Sequence, residues 1–213
     1  METLIYDLLK NKRTTDLIAE LKKDPTLLSF IDSRGATLLM LSFYFRNQEL
    51  SDYILSVRKP SDIYEAVIAG DLDATKKYLA SDPKMINKYS SDGFTALGFA
   101  AFFSRPAIAG YLLEQGANPN IASNNDFKVA PLHSAVAAKS LEITLMLLDR
   151  GAQPNVVQQN DTTPLHAAAH NNSPAIAKAL LSAGADKHLK TKDGKNAMDF
   201  AKEVSAEEIV DML

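Results

Sequence analysis

Along most of the chain, apolar residues fall in short blocks at helical spacing. Ile143, Leu145, Met146, Leu147 and Leu148 form one such block, and Ala179, Leu180 and Leu181 another. Recurrence at i, i+3 and i+4 predicts short amphipathic helices. Gly116-Ala117, Gly151-Ala152 and Gly184-Ala185 close three of these blocks, and glycine just past a helix suits the left-handed residue that ends it. A polar turn such as Asp92-Gly93 or Asp193-Gly194 opens the next stretch, which is rich in alanine. Thr95 and Thr163 stand where a hydroxyl can cap that helix, and Pro164 suits its first turn.

This order of turn, first helix and second helix repeats. Shifting the chain by 58 residues lays Ile5-Tyr6-Asp7 on Ile63-Tyr64-Glu65, Asp24-Pro25 on Asp82-Pro83, and Gly35 and Thr37 on Gly93 and Thr95. Later, Pro131-Leu132-His133 recurs after 33 residues as Pro164-Leu165-His166. One helix pair cannot bury its apolar stripe alone, whereas stacked neighbours bury a continuous core.

Thr163-Pro164-Leu165-His166-Ala167-Ala168, then Ala179-Leu180-Leu181, then Gly184-Ala185-Asp186 carry a resemblance to the ankyrin-repeat family. Ala130-Pro131-Leu132-His133 with Gly151-Ala152-Gln153-Pro154-Asn155, and Gly116-Ala117-Asn118-Pro119-Asn120, repeat the pattern. The resemblance implies an all-α solenoid of stacked helix–turn–helix units with short β-turn fingers. Registering the first helices on Leu4, Leu38, Asp62, Ala96, Pro131, Pro164 and Ala197 divides a single domain, 1–213, into seven units. Their approximate bounds are 1–33, 34–58, 59–91, 92–125, 126–159, 160–192 and a truncated cap, 193–213. From Leu38 to Asp62 the spacing falls to 24 residues, so Ser56–Ser61 is expected to be a connector without a finger. Met40 stands where the family's histidine would be.

Composition removes several kinds of chemistry. There is no cysteine, hence no disulfide, thiolate nucleophile or zinc-thiolate site. The net charge of −3 disfavours a general phosphate-binding surface, and no nucleic-acid partner is expected. Apolar stretches fall short of the ~20 residues of a membrane span. The opening Met1–Asp7 lacks the basic and apolar runs of a secretory leader. A cytoplasmic, monomeric protein is expected.

No nucleophile elbow, phosphate loop or dinucleotide fingerprint occurs, and neither enzymatic activity nor a cofactor is expected. His166 and His170 have the i, i+4 spacing of a metal pair, but Ala167, Ala168 and Ala169 fill the helix between them and no third ligand is in view. His133 and His166 match the family's recurring histidine, which the resemblance assigns to hydrogen bonding of neighbouring loops. The polar run from Asn118 to Asp126 lacks the carboxylate spacing of a calcium loop, and Asx residues are ordinary turn formers. Lys187, Lys190, Lys192 and Lys195 read as a solvated, charged cap surface.

The resemblance also implies where a protein partner would sit: on the fingers and the ends of the first helices, the concave face. Carried over by position, these residues are Tyr44, Phe45, Ile68, Phe94, Phe102 and Phe103 in units two to four, with a polar flank at His170 and Asn171. Aromatic side chains of ~150–250 Å² each make strong interface anchors. Two readings remain open. The cluster is an exposed partner site, or the rings fill the space left by the missing finger. The expected function is a non-catalytic adaptor, scaffold or inhibitor binding another protein. A self-associating structural protein is the alternative, with a metal-dependent enzyme on His166 and His170 more distant.

Overall fold

The computed structural model describes all residues 1–213. It is helical throughout, with no sheet beyond two isolated bridges, Ile31–Thr37 and Tyr89–Thr95, inside fingers. Seven short first helices alternate with seven second helices. The first helices are α1 (Glu2–Lys10), α3 (Leu38–Tyr44), α5 (Ile63–Ala69), α7 (Ala96–Phe102), α9 (Pro131–Ala137), α11 (Pro164–His170) and α13 (Ala197–Glu203). The second helices are α2 (Thr14–Lys23), α4 (Gln48–Val57), α6 (Leu72–Ser81), α8 (Pro106–Glu114), α10 (Leu141–Asp149), α12 (Pro174–Ser182) and α14 (Glu207–Met212).

The caps follow side-chain chemistry. Thr37, Thr95 and Thr163 accept from the amides of Met40, Gly98 and His166 at 3.2, 3.1 and 3.4 Å, satisfying donors that a helix start leaves unpaired. Ala100, Ala101, Ala135, Ala168 and Ala169 are fully buried between first helices, where a methyl group lets the backbones approach closely. Leu97, Ile108 and Leu112 pack into the same core, which runs unbroken from Ile5 to Ile209.

The connector is shorter than the sequence implied. Helix α4 continues to Val57, and Arg58–Asp62 passes directly to α5 without a finger. Asp62 is not the first helical residue. Its side chain accepts from the Glu65 amide at 2.8 Å, so it is the cap, equivalent to Thr37 and Thr95. The true equivalent of Leu38 is Ile63, one residue later than the spacing suggested.

Glu65 therefore occupies the third helical position, where His133 and His166 stand in their units. Each histidine reaches forward to the next finger: His133 Nε2 to the Thr162 carbonyl at 3.1 Å, His166 Nε2 to the Leu189 carbonyl at 2.9 Å. Their Nδ1 atoms accept from the Ala130 and Thr163 amides at 3.3 and 3.0 Å, so the proton sits on Nε2. Burial lowers both imidazoles, His133 to about 4, against weaker raising by the carbonyl bonds. Glu65 is 0% exposed and bridges instead to the connector. It receives both terminal nitrogens of Arg58 at 2.7 and 2.8 Å, the Ser61 amide and hydroxyl at 2.7 and 2.9 Å, and the Thr37 hydroxyl at 2.6 Å. Burial alone would raise this carboxyl, but these donors outweigh it and hold it below the ordinary range.

Candidate functional site

Because unit three has no finger, the fingers on either side of it meet. The Ser91 hydroxyl donates to the Gly35 carbonyl at 2.5 Å. Gly35 has φ +87, and a Cβ there would clash with the Ser91 side chain, so the approach depends on glycine. Tyr44, at the end of α3, reaches past unit three and donates to Asp92 Oδ2 at 2.5 Å. Ser90 holds the other oxygen of Asp92 at 2.5 Å. Burial, reinforced by the Asp92 charge, pushes the Tyr44 phenol far above its ordinary value and keeps it a donor. The small Ala69 and Gly70 end α5 between these aromatics, and Phe103 of unit four stacks on Tyr44, with ring centroids 5.9 Å apart.

The two joined fingers and the finger that follows them enclose a pocket of about 480 Å³, within the ~300–1,000 Å³ of ligand and side-chain pockets. Buried Leu41 and Phe99 form its floor. Half-buried Tyr44, Phe45 and Phe94 form its walls. Phe102 and Phe127, 47% and 57% exposed, stand at its rim with Arg34 and Asn125. Phe94 packs on Phe99 at 5.4 Å, and Tyr6 meets Phe45 edge-on at 5.8 Å, so the walls are braced from behind.

Of the residues expected to bind a partner, Tyr44, Phe45, Phe94 and Phe102 are brought together around this pocket. Phe103 supports it from outside, edge-on to Phe102 at 5.0 Å. Ile68 does not belong. It is 0% exposed and equivalent to Ala101, Val136 and Ala169, all core residues. The one-residue register slip at Asp62 is the cause, since one residue turns a helical side chain by ~100°, from the finger face into the core. His170 and Asn171 lie two units away from Phe102 and do not line the pocket. His170 is exposed and packs edge-on against Phe200 at 6.1 Å, while Asn171 donates to the Val136 carbonyl at 3.5 Å.

The family frame missed Phe127 because it lies inside a finger whose length varies. Its signal was an aromatic directly after the polar run Asn124–Asp126. Phe99, Arg34 and Asn125 were missed as well. Asn125 donates from Nδ2 to the Asp92 carbonyl at 3.0 Å, joining the third finger to the second. No three His, Asp or Glu side chains converge on a point that could hold a metal ion, and both ring nitrogens of His166 are engaged within the chain. No helix is long and apolar enough to cross a membrane.

Comparison with known proteins agrees with this architecture. The chain is 41% identical to human neurogenic locus notch homolog protein 4 over 95 residues, 44% of this chain and 5% of that protein. It is 31% identical to the putative ankyrin repeat protein FPV014 of fowlpox virus over 129 residues, 59% of this chain and 28% of that one. A transient receptor potential cation channel subfamily A member 1 homolog of Caenorhabditis elegans is 28% identical over 139 residues, 65% of this chain and 11% of the channel. The chain thus spans between 5% and 28% of the length of these relatives. The family model described as ankyrin repeats (3 copies) matches residues 63–158 and 132–213. With that match and the stacked helix pairs, the chain belongs to the ankyrin-repeat family, whose members generally mediate protein–protein interaction.

Proposed function

We propose that this chain is a non-catalytic binding module that holds a partner protein on the finger face of units two to four and the finger that follows them. The observation that carries the reading is the aromatic pocket: its floor is core, its walls are braced, and Phe102 and Phe127 stay open to solvent at its mouth. Rings held rigidly before binding lose little conformational freedom on binding. Aromatic anchors in a preformed pocket are where binding energy concentrates at interfaces. The reading includes a cytoplasmic monomer with no cofactor.

A paired capture experiment tests it. The wild type and a Phe102→Ser/Phe127→Ser variant serve as baits in lysate, with Leu145→Ser/Val157→Ser, exposed elsewhere, as the control. Circular dichroism establishes that all three are folded. A protein retained by wild type and control but lost by the pocket variant supports the reading. Equal retention by all three baits would sink it, and would turn attention to the polar flank at His170 and Asn171.

A further inference from the structure

The polar side chains that line the aromatic pocket are Arg34, Tyr44, Ser91, Asp92 and Asn125. Each is already engaged within the chain. The Tyr44 and Ser90 hydroxyls donate to the two oxygens of Asp92. The Ser91 hydroxyl donates to the Gly35 carbonyl. Asn125 accepts from the Ser123 hydroxyl and the Phe127 amide at 2.8 and 3.2 Å, and donates to the Asp92 carbonyl. Arg34 donates from Nε to Asp32 at 3.3 Å and from Nη2 to the Tyr6 hydroxyl at 2.5 Å. Arg34 and Asp92 are the only charged lining residues, and their signs are opposite. Asp126 and Lys128, on either side of Phe127, are opposite in sign as well. The polar groups thus hold the fingers together, and the pocket is left neutral and walled by hydrocarbon.

We infer that the pocket selects its partner by an uncharged hydrocarbon anchor, a bulky Leu, Ile, Met or Phe side chain with no hydroxyl, amide or charge on the part it buries. This rests on the partner-binding reading above and specifies its chemistry. A polar group carried into the pocket leaves water and meets donors and acceptors that are already committed, so the cost of desolvating it goes uncompensated. Charge complementarity points the same way, because a site whose charges cancel gives a charged anchor no countercharge. Selection therefore works by exclusion, against polar anchors more than for any one apolar shape. The affinity of a neutral anchor in a neutral pocket is also insensitive to salt, since screening acts only on charge.

The test is a random-peptide phage library selected on the full chain, with the enriched peptides resynthesised and their affinities measured. Alanine replacement along each peptide identifies its anchor, which should be leucine, isoleucine, methionine or phenylalanine. Phe102→Ser/Phe127→Ser should weaken these peptides about thirtyfold, the effect of losing a ~2 kcal/mol anchor. Adding a polar group to the anchor at nearly constant shape, tyrosine for phenylalanine or asparagine for leucine, should weaken them about tenfold or more. Raising the salt should weaken them less than about twofold. Pocket-dependent peptides with a charged, hydroxyl or amide anchor would overturn the neutral-anchor inference and leave the partner reading standing, and so would an affinity that falls tenfold with salt. Peptides that bind wild type and Phe102→Ser/Phe127→Ser alike would remove both. Lack of enrichment overturns the inference, as does cosedimentation with phosphatidylcholine vesicles. So does a concentration-dependent dimer abolished by Phe127→Ser.

Discussion

Units five and six and the junction around unit three solve the same problem with different chemistry. In units five and six the joints are neutral and repetitive. His133 and His166 bond forward to the next finger. Asn120 and Asn155 each accept from the next unit's Gln153 or Asp186 amide, at 2.8 and 2.7 Å, and donate to the Gly151 or Gly184 carbonyl at 2.9 and 3.0 Å. Unit three has no finger to receive such a bond from unit two, where Met40 holds the histidine's position, and its own joint differs as well. A buried carboxylate stands in the histidine's place and turns back to the connector. The fingers then skip a unit, and the aromatic pocket opens where they join. Regular units give a uniform surface, and the irregular one creates a distinct site.

Breaking the ion pair should separate the two regions most sharply. Arg58→Ala leaves Glu65 buried without its countercharge and is expected to cost about 3–5 kcal/mol in urea unfolding. His166→Ala, which removes a neutral joint, should cost about 1–3 kcal/mol. Similar losses in both would erase the contrast between charged and neutral joints.

Acid distinguishes the regions next. His133 is neutral when folded and is lowered to about 4 by burial, so the unfolded chain, with an ordinary value of ~6.5, binds its proton first. The sign follows: this contribution is complete above pH 6.5 and is lost as pH falls from 6.5 towards 4, by roughly 3 kcal/mol. Glu65 is lowered, and its contribution is lost only below the ordinary carboxylate value of ~4.3. Stability measured from pH 7 to 4.5 should therefore decline, and His133→Gln should flatten the decline. An unchanged slope in that variant would contradict the assignment.

Tyr44→Phe keeps the ring stacked on Phe103 and removes only the bond to Asp92. The expected loss is about 1.5–3 kcal/mol, as for hydrogen bonds to a charged group. Phe127→Ser should change stability by no more than about 0.5 kcal/mol, because the ring is mostly in water. If Phe127→Ser unfolded the protein, the pocket rim would be structural and the binding face would need to be sought elsewhere.

The fold was legible because glycine, threonine and proline punctuate each unit with residues whose backbone preferences are strong. The register failed where that punctuation changes. Asp62 caps α5 as threonine does elsewhere, no Thr-Pro marks the start, and the one-residue slip carried Ile68 to the wrong face. Tyr44, Phe45, Phe94 and Phe102 could be placed because they sit at fixed positions in the frame. Phe127 could not, since fingers vary in length, and the Arg58–Glu65 pair was invisible because each residue alone resembles any solvated charge. His170 and Asn171 share the frame but not the site. Ala137 and Ala138 stand at their positions in the unit between them and Phe102, and no pocket is built there.

The skipped contact also bears on how the chain comes apart. Stacked repeats behave as a one-dimensional lattice in which each unit couples to its nearest neighbours and melting can spread from either end. The bonds from Ser91 to Gly35 and from Tyr44 to Asp92 add a coupling between second neighbours. Unit three is spanned by that coupling and cannot unzip while it holds. Units two, three and four should exchange their amide hydrogens as one cooperative block, and all of the aromatic recess but Phe127, in the finger that follows, lies within that block.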